Sequence, residues 1–370
     1  MTDTPFGFDT LQIHAGARPD PTTGARQTPI YQTTAYVFRD ADHAAALFNL
    51  QEVGYIYSRL TNPTVSVLQE RIATLEGGVG AVCCSSGHAA QIMALFPLMR
   101  PGDNIIASTR LYGGTVTQLG QSIRRFGWSA TFVDIEDPDA IAAAANEHTR
   151  AIFCESVSNP GGHVTDIPAL AEVARRLAVP LIVDNTSASP WLCRPIEMGA
   201  DLVVHSTTKY LTGNGTVTGG AVVDSGRFDW AAAGKFPSLT EPEPAYHGLR
   251  FQETFGPMAF TFFGIAIGLR DLGMTMSPQS AFYTLLGMET LSLRMRRHVE
   301  NAEAVATRLE ADPRVESVSY AGLPSSPWYA RAKRLYPRGA GALFTFALKG
   351  GYAACVKLVD SVELLSHVAN

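Results

Sequence analysis

The stretch DLVVHSTTKYLTGNG, residues 201–215, sets an apolar run, Leu202-Val203-Val204, directly against Ser206, Thr207, Thr208 and Lys209. A short β-branched run that ends in turn-forming residues reads as a buried strand leaving a sheet. Hydroxyls and an amine are poor interior material unless something pairs them. On this stretch alone two readings stay open. Either the strand surfaces and Lys209 is solvated beyond its edge, or the strand end delivers Lys209 to a ligand. Side chains alternate along a strand, so Ser206 and Thr208 share one direction, and Lys209 faces the other way unless the chain turns.

Working outward, the same kind of segment recurs. VGAVCCSSG, DNIIAS, SATFVDI, TRAIFCES, PLIVDN and GGAVVD are short apolar runs, and helical patterns such as HAAQIMALFPLM and IPALAEVARRLA lie between them. Strands separated by helices predict a mostly parallel sheet covered by helices on both faces. Before it, Asn62-Pro63-Thr64 reads as a helix start, with apolar residues at 65, 68, 72 and 75 and a stop at Gly77-Gly78. The first sixty residues are rich in Pro and Gly, yet Tyr31, Tyr36, Phe38 and Tyr57 make them too aromatic for a disordered tail. They read as an ordered arm lying on something, such as a second subunit. After residue 257 longer helices take over, followed by the strand candidates VESVSYA and ALFTFALKG. The expected division is an arm over 1–60, a large domain over 61–256 and a smaller C-terminal α/β domain over 257–370.

Bulk properties narrow the class. The 370 residues are 46% hydrophobic, ample for a large core, and 29 basic against 34 acidic residues give a net charge of −5 without long runs. That balance lends no electrostatic support to a nucleic-acid or membrane-surface partner. No apolar stretch reads as long enough to span a bilayer. The start MTDTPFGFDTLQIHAG has neither the basic nor the apolar region of a signal peptide. Five cysteines at 83, 84, 154, 193 and 355, without CxxC spacing, argue against a disulfide framework or a zinc site. The expectation is a soluble cytoplasmic protein.

In open parallel sheets ligands bind beyond the carboxyl ends of strands, near helix N-termini. Four such ends carry polar groups. Cys83-Cys84 runs into Ser85-Ser86-Gly87, a small-residue turn whose N–H groups suit an anion, although an ordinary serine helix cap explains it equally well. PLIVD ends in Asp184, which needs a cation or several donors once buried. AIFCE ends at Glu155, with the loop Ser158-Asn159-Pro160 beyond it, and LVVHS leads to Thr208 and Lys209. Dinucleotide and P-loop readings fail on spacing: GGVGAVC lacks the last glycine of GxGxxG, and GNGTVTGG has no GK[ST]. Hydroxyls for a phosphate, a carboxylate for a ring nitrogen and a lysine for an aldehyde belong together in a pyridoxal phosphate site.

At this point the sequence resembles the cysteine/methionine-metabolism group of fold-type I pyridoxal-phosphate enzymes. The motifs YSRLTNPT, SSGHAA, YGGT, ESVSNP, VDNTSASP and HSTTKYLTGNG carry the likeness in the family's order, from Phe8 to the end, with Lys209 placed 25 residues after Asp184. The resemblance implies a fold-type I PLP-dependent transferase, α/β, with pyridoxal 5'-phosphate bound through Lys209. Asp184 would partner the ring nitrogen. Ser206, Thr208 and the N–H groups of Gly87 and His88 would hold phosphate, and Tyr112 would stack on the ring and share in proton transfer. Asn159 would approach the phenolic oxygen, while Tyr57 and Arg59 would reach the phosphate of a neighbouring subunit. It further implies a homodimer with shared sites, commonly paired into a tetramer.

Within the family, LCRPIEMGAD, DSGRFDW and PSLTEPEPAYHGLRFQETFG resemble the O-acetylhomoserine sulfhydrylase branch. The implied reaction is γ-replacement on O-acetyl-L-homoserine by sulfide or a small thiol, with γ-elimination and cystathionine synthesis or cleavage as sibling outcomes. Two departures stand out. His88 takes a place usually held by Met or Gln. The chain also stops at LLSHVAN, where family members continue with an arginine that grips the substrate α-carboxylate. Read as an absence, that predicts retained cofactor binding with poor amino-acid binding, or a catalytically silent fragment, unless another arginine substitutes.

Overall fold

The structure, a computed structural model, describes residues 6–369, so the first five residues of the arm lie outside it. Its centre is a seven-stranded sheet in the order β1-β7-β6-β5-β4-β2-β3. The strands are β1 Gly80–Cys84, β2 Asn104–Ser108, β3 Ser129–Val133, β4 Thr149–Glu155, β5 Leu181–Asp184, β6 Leu202–Ser206 and β7 Gly220–Asp224. All run the same way except β7, which pairs antiparallel with both β1 and β6. The run GGAVVD reads as a strand in either direction, because burial on both faces leaves no alternation to mark its polarity.

Adjacent residues feed opposite faces of this sheet. Val183 and Val203 join Leu68 and Ile72 on one side, while Ile182 and Val204 join Ala90, Met93 and Phe260 on the other. Leu68 and Ile72 belong to the helix Pro63–Glu76, whose start and stop are local. Asn62 accepts the Thr64 N–H at 3.0 Å, Pro63 occupies the first turn, and Gly77 closes the helix at φ +81°.

The arm holds two short helices, α1 Phe8–His14 and α2 Ala41–Phe48, within its Pro- and Gly-rich sequence. Asp40 caps α2 by accepting the His43 N–H at 2.7 Å, a signal hidden among the surrounding turn residues. The expectation of no membrane-length apolar segment is also corrected. Short pieces join into one helical run, Phe251–Leu272, of 22 residues, long and apolar enough by length and composition alone. Half of it is buried, and Phe260, Phe263 and Ile267 pack in the same cluster as Val82 and Val222. Its apolar character therefore serves the core. Beyond it, the helix Leu291–Glu310 leads to an antiparallel pair, β8 Val315–Ser319 and β9 Thr345–Leu348.

Candidate active site

The carboxyl ends of β1, β2, β4, β5 and β6 open on one region. There β6 stops at Ser206 and the chain turns, with the Lys209 N–H donating to Ser206 O at 3.3 Å and the Gly213 N–H to Lys209 O at 2.8 Å. The turn breaks strict alternation, so Lys209 is not forced to the face opposite Ser206 and Thr208. Its amine is partly buried, and that burial lowers its pKa from the ordinary value. The Thr208 hydroxyl is engaged with Gly219, donating to its carbonyl at 3.2 Å and accepting its N–H at 3.0 Å.

Across from this turn, the helix Gly87–Leu95 begins. Ser86 caps it by accepting the Ala89 N–H at 3.1 Å. Helix geometry leaves the N–H groups of Gly87 and His88 without intrahelical acceptors. A Cβ at Gly87 would stand 2.6 Å from the Ser206 Cβ and 3.1 Å from its Oγ. Glycine thus lets a helix N-terminus and a hydroxyl converge, an arrangement suited to phosphate. The backbone of β7 crowds the same point, since a Cβ at Gly220 would meet the Ser86 carbonyl at 2.0 Å.

Asp184, at the end of β5, accepts the Thr186 N–H at 2.9 Å, and Gln91 Nε2 lies 3.4 Å from its other oxygen. Thr186 in turn accepts the Ser206 N–H at 2.8 Å, tying the carboxylate to the hydroxyl turn. Glu155 stands beside Asp184 in register on β4. Burial, and then the neighbouring Asp184, push the Glu155 carboxyl up. Two adjoining buried acids call for a cation, which a protonated ring nitrogen would supply. Glu155 also accepts the N–H of Tyr112 at 2.6 Å and of Asn159 at 2.8 Å. The half-exposed Tyr112 ring stacks on His88, centroids 6.0 Å apart. Beneath all this, Glu76 binds the His205 Nε2 at 2.6 Å and Asn185 at 2.8 Å, a buried base on which Asp184 and Ser206 rest.

The structure therefore gathers Gly87, His88, Tyr112, Asn159, Asp184, Ser206, Thr208 and Lys209. Tyr57 and Arg59 stay in the arm, exposed, with the guanidinium 5.1 Å over the tyrosine ring and the Arg59 carbonyl accepting from Thr275. Thr186 and Gln91 were missed in the sequence. Thr186 sits two residues after Asp184 and Gln91 one helical turn after Gly87, spacings that point both back at the site.

A lysine on a turn beside a glycine-built anion cradle, with paired carboxylates opposite, defines a site made for an aldehyde cofactor bearing a phosphate and a basic ring nitrogen. The family described as Cys/Met metabolism PLP-dependent enzyme matches residues 9–370, and the chain belongs to it. O-acetyl-L-homoserine sulfhydrylase 1 of Thermus thermophilus is 49% identical, over 98% of this chain and 86% of its own length. Homocysteine synthase of Schizosaccharomyces pombe is 48% identical over 98% and 85%. Among solved structures, a Campylobacter jejuni chain described as an O-acetylhomoserine (thiol)-lyase, containing a pyridoxyl-lysine phosphate, superposes with a TM-score of 0.95 at 38% identity, covering 99% of this chain and 91% of that one. Cystathionine γ-synthase of Xanthomonas oryzae gives 0.83 at 32%, covering 99% and 84%. The fold is fold-type I and the cofactor is pyridoxal phosphate.

Proposed function

We propose that the protein replaces the acetoxy group of O-acetyl-L-homoserine with sulfide or a small thiol, giving homocysteine or a thioether such as methionine, plus acetate. The observation that carries this is the convergence of Lys209, Asp184 and the Gly87–Ser206 cradle in a chain nearly half identical to sulfhydrylases. Bound pyridoxal phosphate supplies the electron sink that lets the substrate's α-proton leave.

The residues divide the remaining work. Ser206, Thr208 and the N–H groups of Gly87 and His88 would hold the phosphate. Asp184 would keep the ring nitrogen protonated, and Tyr112 and Asn159 would stand against the ring and its phenolic oxygen. Lys209 would bind the cofactor's aldehyde, and its free amine would move protons at the substrate's α- and β-carbons. Partial burial favours its neutral form, the form able to accept a proton.

Two copies sharing their sites fit this reading. Val37 is 98% and Val53 79% exposed, apolar surface in the same arm that displays Tyr57 and Arg59. Arg59 would then reach the partner's phosphate, and a cytoplasmic setting suits the unpaired buried cysteines.

The test is product analysis with O-acetyl-L-homoserine, with and without sulfide. Homocysteine formed only with sulfide supports replacement. Release of 2-oxobutanoate without thiol as the main product would instead make the protein a γ-eliminating enzyme.

A further inference from the structure

We propose that Glu155 is a positioning residue, one carboxylate that sets Tyr112 and Asn159 together against the cofactor ring; this rests on the reading of the site given above. Its Oε1 accepts the Tyr112 N–H at 2.6 Å and its Oε2 the Asn159 N–H at 2.8 Å. Tyr112 lies 43 residues before Glu155 in sequence and Asn159 four after it. One group thus spaces the loop after β2 from the loop after β4, neighbouring strands in the sheet. The residue is itself fixed: its side chain is buried at the end of β4, and its carbonyl accepts the Thr165 hydroxyl at 2.7 Å.

Location makes the choice of residue informative. A second carboxylate beside Asp184 is an unfavourable neighbour in a buried sheet end. Strand packing alone would be served by a neutral side chain. Each oxygen of Glu155 instead takes one N–H donor, and a cationic ring nitrogen bound beside the Asp184–Glu155 pair would favour the ionised form, which accepts on both. Tyr112 opens the helix Gly113–Gly120 without a side-chain cap of its own, so the Glu155 carboxyl stands at that helix's positive end. Glutamine would keep the shape but turn an NH₂ toward one of the two donors, so one anchor fails.

The test compares holoenzyme carrying Glu155→Gln, Tyr112→Ala and both. Readouts are pyridoxal phosphate affinity, the circular dichroism of the cofactor's visible band, which reports how the ring is held, and kcat and KM separately. Misplacing a group by an ångström can cost about 100-fold in rate. E155Q is expected to keep its Lys209-linked cofactor, lose most of the visible dichroism, bind cofactor about tenfold more weakly and lose 10- to 100-fold in kcat with KM within about threefold. The double variant should fall within about threefold of the worse single one, because both changes remove the same placement. Effects that multiply, or an E155Q enzyme equal to wild type, would overturn the proposal while leaving the site intact. A wild-type chain that takes up no pyridoxal phosphate would overturn the site reading and Glu155's role together. Should E155Q misfold, Glu155→Asp keeps the carboxyl and shortens the reach; a loss of dichroism there supports the bridge, and none refutes it.

Discussion

An amine after three hydroxyl positions at a strand end conflicts with local burial rules, and such conflicts mark function. Replacing it should be decisive. Lys209→Ala is expected to abolish covalent cofactor attachment, read as loss of the borohydride-fixed mass on the 209 peptide, and to cut turnover by about 10²–10⁴-fold for the lost acid–base group. A fixed mass elsewhere in the chain would reassign the lysine. Glu155 is less legible: its place at a strand end can be read, but the Tyr112 N–H reaches it from a loop that only the folded sheet brings near. Residue types announce charge and shape, whereas pairing across 43 residues of chain is a property of topology.

Elements were legible where their signals are local and obscure where they depend on neighbours. The cap Asn62 and the stop Gly77 could be read directly, while α1 and α2, of seven and eight residues, are too short to show a period among Pro and Gly. Two predictions belong to this scale. At the meeting of the helix Gly87–Leu95 with β6, Gly87→Ala must displace Ser206, since the new Cβ would sit 2.6 Å from its Cβ. The expected result is a stability loss of about 1–3 kcal/mol and cofactor affinity weakened at least tenfold, measured by thermal melting and by titration of the apoprotein. Unchanged affinity would mean that the cradle is not the phosphate site. Within the strands, Cys83, Cys84 and Cys154 are fully enclosed, and burial pushes the Cys84 thiol up to about 12. Native protein should therefore expose at most Cys355 to a thiol reagent, with the other four reacting only on unfolding. Rapid labelling of a second thiol would show that the sheet opens more readily than its packing implies.

At the scale of the whole molecule, the sheet separates the chemistry from the groups that make stability fall as pH rises. The site occupies the carboxyl ends of β5 and β6. At the other end Asp201 precedes β6, and Asp224 closes β7 in register with Leu202. Burial first, opposed by the Gly226 N–H and Thr261, raises Asp224 from 3.8 to about 6; burial likewise raises Asp201 to about 6. A carboxyl whose pKa is higher folded than unfolded binds its proton more tightly in the native state. Its contribution to stability is therefore complete below about pH 4 and lost as pH rises through about 6. For Asp224, a shift of roughly two pKa units corresponds to a change on the order of 2–3 kcal/mol. Asp224→Asn should remove that dependence, because the amide oxygen still accepts the Gly226 N–H and the amide nitrogen faces the Thr261 hydroxyl. The variant is expected to melt a few degrees above wild type at pH 8 and close to it at pH 5. Meanwhile the pH profile of kcat should stay where it was, since no titrating group of the site changes. A variant less stable than wild type at pH 8 would mean that Asp224 is held charged by partners stronger than these two. A kcat profile that moves with the melting curve would mean that the two ends of the sheet are coupled through its strands rather than insulated by its core.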